Sequence, residues 1–281
     1  MSDSAQPDVV KKAQDYYNSE DADRFYFNIW GGEDIHIGLY DGETQSIFEA
    51  SHKTVRAMAD LIAPEVTPET RILDIGAGYG GSARFLAKHF GCRVTCLNLS
   101  EVQNERNRQM NREQGLADRI DVHDGNFEEL PFEDSAFEIV WCQDSILHSG
   151  RRDIVFAEVD RVLKPGGQFI FTDIMQKEPA DPERLQPVYD RIHLPSLGSL
   201  EAYAEYAAKL DWEKLGFEDL SPQLPNHYQS VHDELGRRRD RVEGEISDAY
   251  IDRMLNGLKH WVAAGRGGLL KPIPGGVWEV N

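Results

Sequence analysis

Asp74, Gly76, Gly78 and Gly81 fall in the run Leu73-Asp74-Ile75-Gly76-Ala77-Gly78-Tyr79-Gly80-Gly81. The glycines satisfy G-x-G-x-x-G, a turn in which bare backbone approaches a nucleotide-like ligand at a strand-to-helix junction. Asp74 lies two residues before the first glycine, where a dinucleotide site normally continues an apolar strand. A carboxylate there suits a ligand with a positively charged amino group better than one with a pyrophosphate. The glycine pattern alone is weak, and on it a nicotinamide-dependent oxidoreductase stays open.

More polar residues recur where strands should end. Asn98 follows the glycine turn by roughly 20 residues, the usual place of a ribose-binding side chain. Its bland reading is a turn residue. Asn126-Phe127 precedes Leu130-Pro131-Phe132, and Gln143-Asp144 closes a later apolar run.

A scaffold that brings these residues together is legible over residues 70–175. Arg71 to Ile75 reads as a short strand, Ser82 to Phe90 as a helix ending at Gly91, and Cys92 to Leu99 as a second strand. Glu101 to Gln114 is a polar helix that Gly115 can stop. Ile120 to Val122 is a brief third strand, and Phe137 to Cys142 a fourth, apolar on both faces. Asp153 to Leu163 is a helix, Lys164-Pro165-Gly166-Gly167 a turn, and Gln168 to Thr172 the fifth strand. The alternation predicts an α/β, Rossmann-like fold, a central mostly parallel sheet with helices on both faces. Right-handed crossovers put the strand C-termini along one edge, where a ligand binds at the switch in strand order.

The flanks read differently. Residues 1–69 look helical, with an aromatic-rich middle from Tyr16 to Tyr40, and are expected to form an N-terminal cap segment. Residues 176–245 are expected to form a helical substrate cap, and 246–281 a C-terminal helix with a possible short final strand. Both cap segments should cover the ligand edge rather than fold as independent domains. A further strand is possible around Phe217 to Leu220. Met175 to Pro187, with three prolines, reads as a loop.

The chain has 281 residues and a net charge of −19, which argues against nucleic acid, since nothing would neutralise phosphates. Arg237, Arg238 and Arg239 are flanked by acids and read as a solvated helix face. Cys92, Cys96 and Cys142 lie in or beside apolar strand-like segments, without C-x-x-C spacing, and suggest buried thiols in a reducing, cytoplasmic setting. No signal peptide and no membrane span are expected. The histidines form no metal-binding spacing, so no metal is expected.

Taken in order, Asp74 with its glycines, Asn98, Asn126-Phe127, Gln143-Asp144 and Leu163-Lys164-Pro165-Gly166-Gly167 resemble the class I S-adenosylmethionine-dependent methyltransferases. The resemblance implies S-adenosyl-L-methionine as cofactor. Asp74, Gly76 and Gly78 would hold its methionine part, and Asn98 and Leu99 the ribose. Asn126 and Phe127 would contact adenine, Gln143 would position the cofactor, and Gln103 completes the cofactor set. Asn98 departs from the carboxylate usual in the family, but an amide can both accept from and donate to ribose hydroxyls.

The flanks resemble the sarcosine/dimethylglycine N-methyltransferases of betaine biosynthesis, from about Tyr16 to Gly268. The resemblance rests on Trp30-Gly31-Gly32-Glu33-Asp34-Ile35-His36-Ile37-Gly38-Leu39-Tyr40, Trp141 to Ser149, Asp190-Arg191-Ile192-His193-Leu194, Ser196 to Ser199, Asn226-His227-Tyr228 and Gly257 to Trp261. It implies stepwise methylation of sarcosine or dimethylglycine, ending in glycine betaine, an osmoprotectant. Alternatives are a methyltransferase for a natural product or lipid head group, and a protein that keeps the cofactor fold without catalysis.

Such chemistry needs a free amine in line with a methyl donor, aromatic faces for a quaternary ammonium, and a cation for the acceptor's carboxylate. Arg191 is the expected carboxylate clamp, with His193 beside it. His148 would orient the acceptor or take its proton, and Asp144 would hydrogen-bond the amine or the cofactor's sulfonium-side groups. Tyr26, Trp30 and His36 are expected on the acceptor side, with Tyr17 as a lid residue. His227, Tyr228, His260 and Trp261 belong to the cap without an assigned role. In Leu270-Lys271-Pro272-Ile273-Pro274-Gly275-Gly276, two prolines and two glycines should leave the final strand shortened, displaced to an edge or missing.

Overall fold

The computed structural model describes residues 6–42, 46–192, 194–216, 219–242, 244–272 and 276–280. The chain opens with α1 (Gln6–Tyr17), α2 (Glu20–Asn28) and α3 (Ile47–Ile62). The alternating core follows: β1 (Arg71–Ile75), α4 (Gly81–Phe90), β2 (Arg93–Asn98), α5 (Glu101–Glu113), β3 (Ile120–Asp124), β4 (Phe137–Gln143), α6 (Arg152–Val162) and β5 (Leu163–Thr172). Then come β6 (Ile174–Gln176), α7 (Pro182–Ile192), α8 (Leu200–Lys209), β7 (Glu213–Gly216), α9 (Gln223–Val242), α10 (Asp248–Arg266), β8 (Leu270–Pro272) and β9 (Gly276–Glu279).

Seven strands form one sheet in the order β3-β2-β1-β4-β5-β9-β7. The first five are parallel, and β9 runs antiparallel to both β5 and β7. Strand order reverses between β1 and β4, so a crevice opens beyond their C-terminal ends. That crevice receives the Asp74–Gly78 turn from one side and Gln143-Asp144 from the other.

Local chemistry sets the element ends. Ser100 caps α5 by accepting from Gln103 N–H, and Ser247 caps α10 by accepting from Tyr250 N–H. Ser46 and Glu49 form a reciprocal capping box on α3, a device that adds about 1 kcal/mol. β1 is buried beyond Arg71 and apolar there except at Asp74, because helices cover both sheet faces. One face packs Val55, Met58 and Ile62 of α3 with Leu86 of α4; the other packs Phe156 of α6 with Tyr203 of α8 and Trp212. A separate apolar cluster joins Phe25, Tyr26 and Trp30 to Leu185 and Val188 of α7, Leu224 and Tyr228 of α9, and Leu258 and Trp261 of α10. Within residues 176–245, α8 and β7 therefore belong with the sheet, while α7 and α9 roof the ligand edge.

Three expectations change. Lys164-Pro165-Gly166-Gly167 is not a turn before β5 but an irregularity inside it, between the Phe137–Leu163 and Ile139–Gln168 pairings. Gly166, at φ 74°, donates its N–H to Val280 O at 2.7 Å, and Val280 N–H returns to Gly167 O at 2.9 Å. Met175 to Pro187 is not a loop: β6 pairs with β8, and Pro182 starts α7, where a missing N–H costs nothing. Pro187 lies inside α7 because burial of Leu185, Val188 and Tyr189 outweighs one lost hydrogen bond. The final strand is short, but it is neither missing nor at an edge. Of the proline- and glycine-rich stretch, Leu270–Pro272 form β8, Gly276 opens β9, and 273–275 lie outside the described residues; β9 inserts between β5 and β7. Of the expected strand around 217–220, Phe217 and Glu218 lie outside the described residues, and β7 ends just before them.

Candidate active site

Two cavities meet at the crevice. The first is open to solvent and is lined by Asp74, Gly76, Gly78, Asn98, Leu99, Gln103, Phe127 and Gln143. Asn126, also expected here, is off the wall; its Oδ1 accepts from Glu128 N–H at 3.0 Å. The glycine turn is held by Gly76 N–H and Ala77 N–H donating to Leu97 O at 2.8 and 3.2 Å. Gly76 has φ 75°, and a Cβ there would run into Ser145 Oγ.

One end of this cavity gathers buried carboxylate oxygens. Asp74 Oδ2 and both oxygens of Asp34 are buried and unbonded. Burial pushes the Asp74 carboxyl up to about 7, with His36 pulling it down and Asp34 pushing it further up. His36 Nε2 lies 3.5 Å from Asp34 Oδ1, a contact too poorly aligned for a hydrogen bond. Burial works against a charged His36, but Asp34 raises its pKa overall. Such an end fits a cationic amino group. Asp34 escaped the sequence reading, although it sits inside the quoted Trp30–Tyr40 run. Its signal was an acid embedded among aromatic and apolar residues.

The other end offers amides. Asn98 Nδ2 donates to Gln103 Oε1 at 3.0 Å, and Gln103 Nε2 and Gln143 Nε2 are buried without partners. Gln143 Oε1 accepts from Trp141 Nε1 at 2.9 Å and from Ser82 Oγ. Orphaned acceptors at the methionine end, free amide donors elsewhere and the bare glycine turn together fit S-adenosylmethionine.

The second cavity shares Tyr17, Ile35, His36, Asp144 and His148 with the first. Beyond that common wall it is lined by Tyr16, Tyr26, Trp30, Leu147, Arg191, Tyr228 and Trp261. His193 lies outside the described residues. His260 is exposed. His227 stands behind the wall, with Nδ1 accepting from Gly38 N–H at 3.1 Å, and burial pushes its imidazole down to about 3.

Asp144 follows β4 with φ 48°, a left-handed conformation that costs a non-glycine residue energy and often marks a functional position. The kink lets Oδ2 accept from Ile37 N–H at 2.7 Å, tying the lid segment to the sheet. Burial raises its pKa, against the opposing Ile37 hydrogen bond. Tyr17 OH and His148 Nε2 are 2.9 Å apart. Burial first, then Arg191 and Arg152, push His148 down to about 4, so the imidazole is neutral at pH 7. His148 ends a short 3-10 turn, Ile146–His148. Asp173 anchors that turn from below: Oδ1 accepts Leu147 N–H at 2.9 Å and Oδ2 accepts Tyr203 OH at 2.6 Å.

Arg191 reaches the cavity from α7. Its Nη1 is buried without a partner, and its Cζ stands 5.5 Å from the Trp261 ring and 5.8 Å from the Tyr228 ring. Tyr16 OH is 3.0 Å from Tyr250 OH and 3.3 Å from Tyr26 OH. The roof is fastened to α5: Ser100 Oγ donates to Asn18 Oδ1 at 2.8 Å, and Arg106 Nε to Asp23 Oδ1 at 2.7 Å. Tyr79 OH donates to the same Asp23 oxygen at 3.0 Å.

The strand reversal, the glycine turn under a buried carboxylate, and a second cavity opening through the end of β4 define a class I methyltransferase. The Methyltransferase domain family matches residues 73–171. The chain is 54% identical to a sarcosine/dimethylglycine N-methyltransferase of Aphanothece halophytica, over 93% of this chain and 94% of that one. It is 50% identical to the one from Halorhodospira halochloris, over 93% and 94% respectively. A crystal structure of a candidate sarcosine dimethylglycine methyltransferase from Galdieria sulphuraria matches with TM-score 0.87 and 41% identity, covering 94% of this chain and 98% of that one. The chain belongs to the sarcosine/dimethylglycine N-methyltransferase family and is an S-adenosylmethionine-dependent N-methyltransferase. Among the described residues, no helix is long and apolar enough to cross a membrane.

Proposed function

We propose that this enzyme methylates the amine of sarcosine and of dimethylglycine, ending in glycine betaine. The main support is the make-up of the second cavity. An unpartnered guanidinium, Arg191, stands among aromatic faces, while Asp144, Tyr17 and His148 form the wall shared with the cofactor cavity. A zwitterion bound with its carboxylate at Arg191 turns its amine toward that wall.

S-adenosylmethionine supplies the methyl group from its sulfonium. Asp74, with the glycine turn, holds the amino-acid end of the cofactor. Gln143 and Asp144 line the passage between the cavities. The acceptor arrives mainly as an ammonium, and only its free amine reacts. Tyr17 OH, held by the neutral His148 Nε2 at 2.9 Å, orients the free amine at the shared wall. Tyr17, Tyr26, Trp30 and Tyr228 present ring faces to the cationic nitrogen of the product. Catalysis beyond this is positioning of amine and methyl in line, with the roof excluding water. The three buried free thiols and the product's chemistry agree with a reducing, cytoplasmic setting and an osmoprotective role.

The test is turnover by the purified enzyme with a methyl-labelled donor and a panel of glycine, sarcosine, dimethylglycine and amines lacking a carboxylate. Label should enter dimethylglycine and glycine betaine. Absence of label from both N-methylated glycines, with transfer to another amine, overturns the assignment.

A further inference from the structure

Arg191 is not the only unanswered donor in the acceptor cavity. Trp30 Nε1 and Trp261 Nε1 are also buried without hydrogen-bond partners. These indoles are 4% and 1% exposed and both line that cavity. They come from separate parts of the chain: Trp30 follows α2, and Trp261 stands on α10. Tyr228 of α9 joins them, its ring 6.0 Å from Trp30 and 5.1 Å from Trp261. A buried N–H left unmade costs about 1–3 kcal/mol. Two such groups in the cavity that holds an unpaired guanidinium nitrogen call for an acceptor, which a bound carboxylate supplies.

We propose that Trp30 and Trp261 donate, with Arg191, to the acceptor's carboxylate, and that this set selects a singly charged anion over a phosphate or phosphonate dianion. The proposal rests on the zwitterionic-acceptor reading above. Its charge logic is simple. The donor set holds one full positive charge, on Arg191, and the two indole N–H groups are neutral. A carboxylate has two oxygens with lone pairs for three donors and is neutralised by one cation. A dianion buried there would keep one uncompensated negative charge, and desolvating an unpaired charge is costly. The other histidines nearby do not alter the count: His148 is neutral, and His36 faces Asp34.

Calorimetric titration of the enzyme loaded with S-adenosylhomocysteine tests this. Wild type is titrated with dimethylglycine and with its phosphonate analogue, dimethylaminomethylphosphonate, above the second phosphonate pKa. Dimethylglycine should bind at least about tenfold tighter, and this arm needs no variant. Trp30→Phe and Trp261→Phe keep the aromatic face and remove the donor. Each should weaken dimethylglycine about tenfold, the scale of one hydrogen bond to a charged group. S-adenosylhomocysteine affinity should not change, which also reports an intact fold. Equal or tighter phosphonate binding overturns the charge selection. Wild-type dimethylglycine affinity in both variants overturns the indole donors. No dimethylglycine binding by wild type overturns the acceptor assignment and this proposal with it; binding by wild type with unchanged variants overturns this proposal alone.

Discussion

The cofactor cavity and the acceptor cavity share a wall but are opposites in hydrogen-bonding character. At its methionine end the first presents buried carboxylate oxygens, those of Asp34 and Asp74, with one imidazole, His36, beside them. The second presents donors without acceptors, Arg191, Trp30 and Trp261. A cationic amino group answers the first set and a carboxylate the second. On the proposed reading the reacting atoms meet between them, at Asp144, Tyr17 and His148, and charge orients both reactants before any group at the shared wall acts.

The comparison breaks most sharply at Arg191. Arg191→Ala should raise KM for dimethylglycine on the order of 100-fold, by removing the cation from a buried carboxylate, with cofactor affinity nearly unchanged. Steady-state kinetics with a separate cofactor titration check this, and equal losses on both sides would mean the cavities are not independent. Asp74→Asn should do the reverse, weakening S-adenosylmethionine about 30-fold while leaving the KM for the acceptor near wild type.

A smaller effect sharpens the wall between the cavities. Tyr17→Phe should lower kcat about tenfold with KM little changed, because it removes the hydroxyl that orients the amine but not the groups that hold the carboxylate. His148 stays neutral well below its ordinary range, so no step in kcat/KM near pH 6.5 should belong to it.

Asp74 gives a pH signature. Its carboxyl sits at about 7 in the cofactor-free protein, against about 3.9 unfolded. Folding therefore favours its protonated form. The stability this contributes is full below about pH 4 and is lost as pH rises through about 7. A cationic ligand favours the ionised form instead. Cofactor binding at pH 6 should release a proton, and affinity should rise with pH by at most about tenfold per unit before levelling above 7. Calorimetry in buffers of different ionisation enthalpy counts that proton; uptake in place of release would contradict the role of Asp74. The smallest effect belongs beneath the wall. Tyr203→Phe should cost about 1 kcal/mol of stability, one hydrogen bond to Asp173, measured by chemical unfolding.

The two cavities also differ in how far the sequence revealed them. The cofactor cavity is built from strand ends within one alternating segment, so Asp74, Asn98 and Gln143 could be read from local patterns. Asn126 stands off that cavity's wall in an Asx turn, which looks like a ligand contact in sequence. The acceptor cavity draws on α1, the Trp30–Ile37 segment, α7, α9 and α10, which periodicity cannot bring together. Trp261 lies on the buried side of an amphipathic helix, where an indole reads as core; only its unpaired N–H distinguishes it. In the fold, β9 was obscured by its neighbours Pro272, Pro274 and Gly275. Its pairing with β5 and β7 is set by tertiary contacts that no local propensity encodes. Pro187 within α7 misled in the same way, because burial of one helix face overrode a local breaker.

The most direct test of the opposed cavities is a crystal structure with S-adenosylhomocysteine and dimethylglycine bound together. The acceptor carboxylate should lie within hydrogen-bond reach of Arg191, and the amine should face Asp144 and Tyr17. A carboxylate turned toward Asp144, with Arg191 left unpaired, would contradict the account.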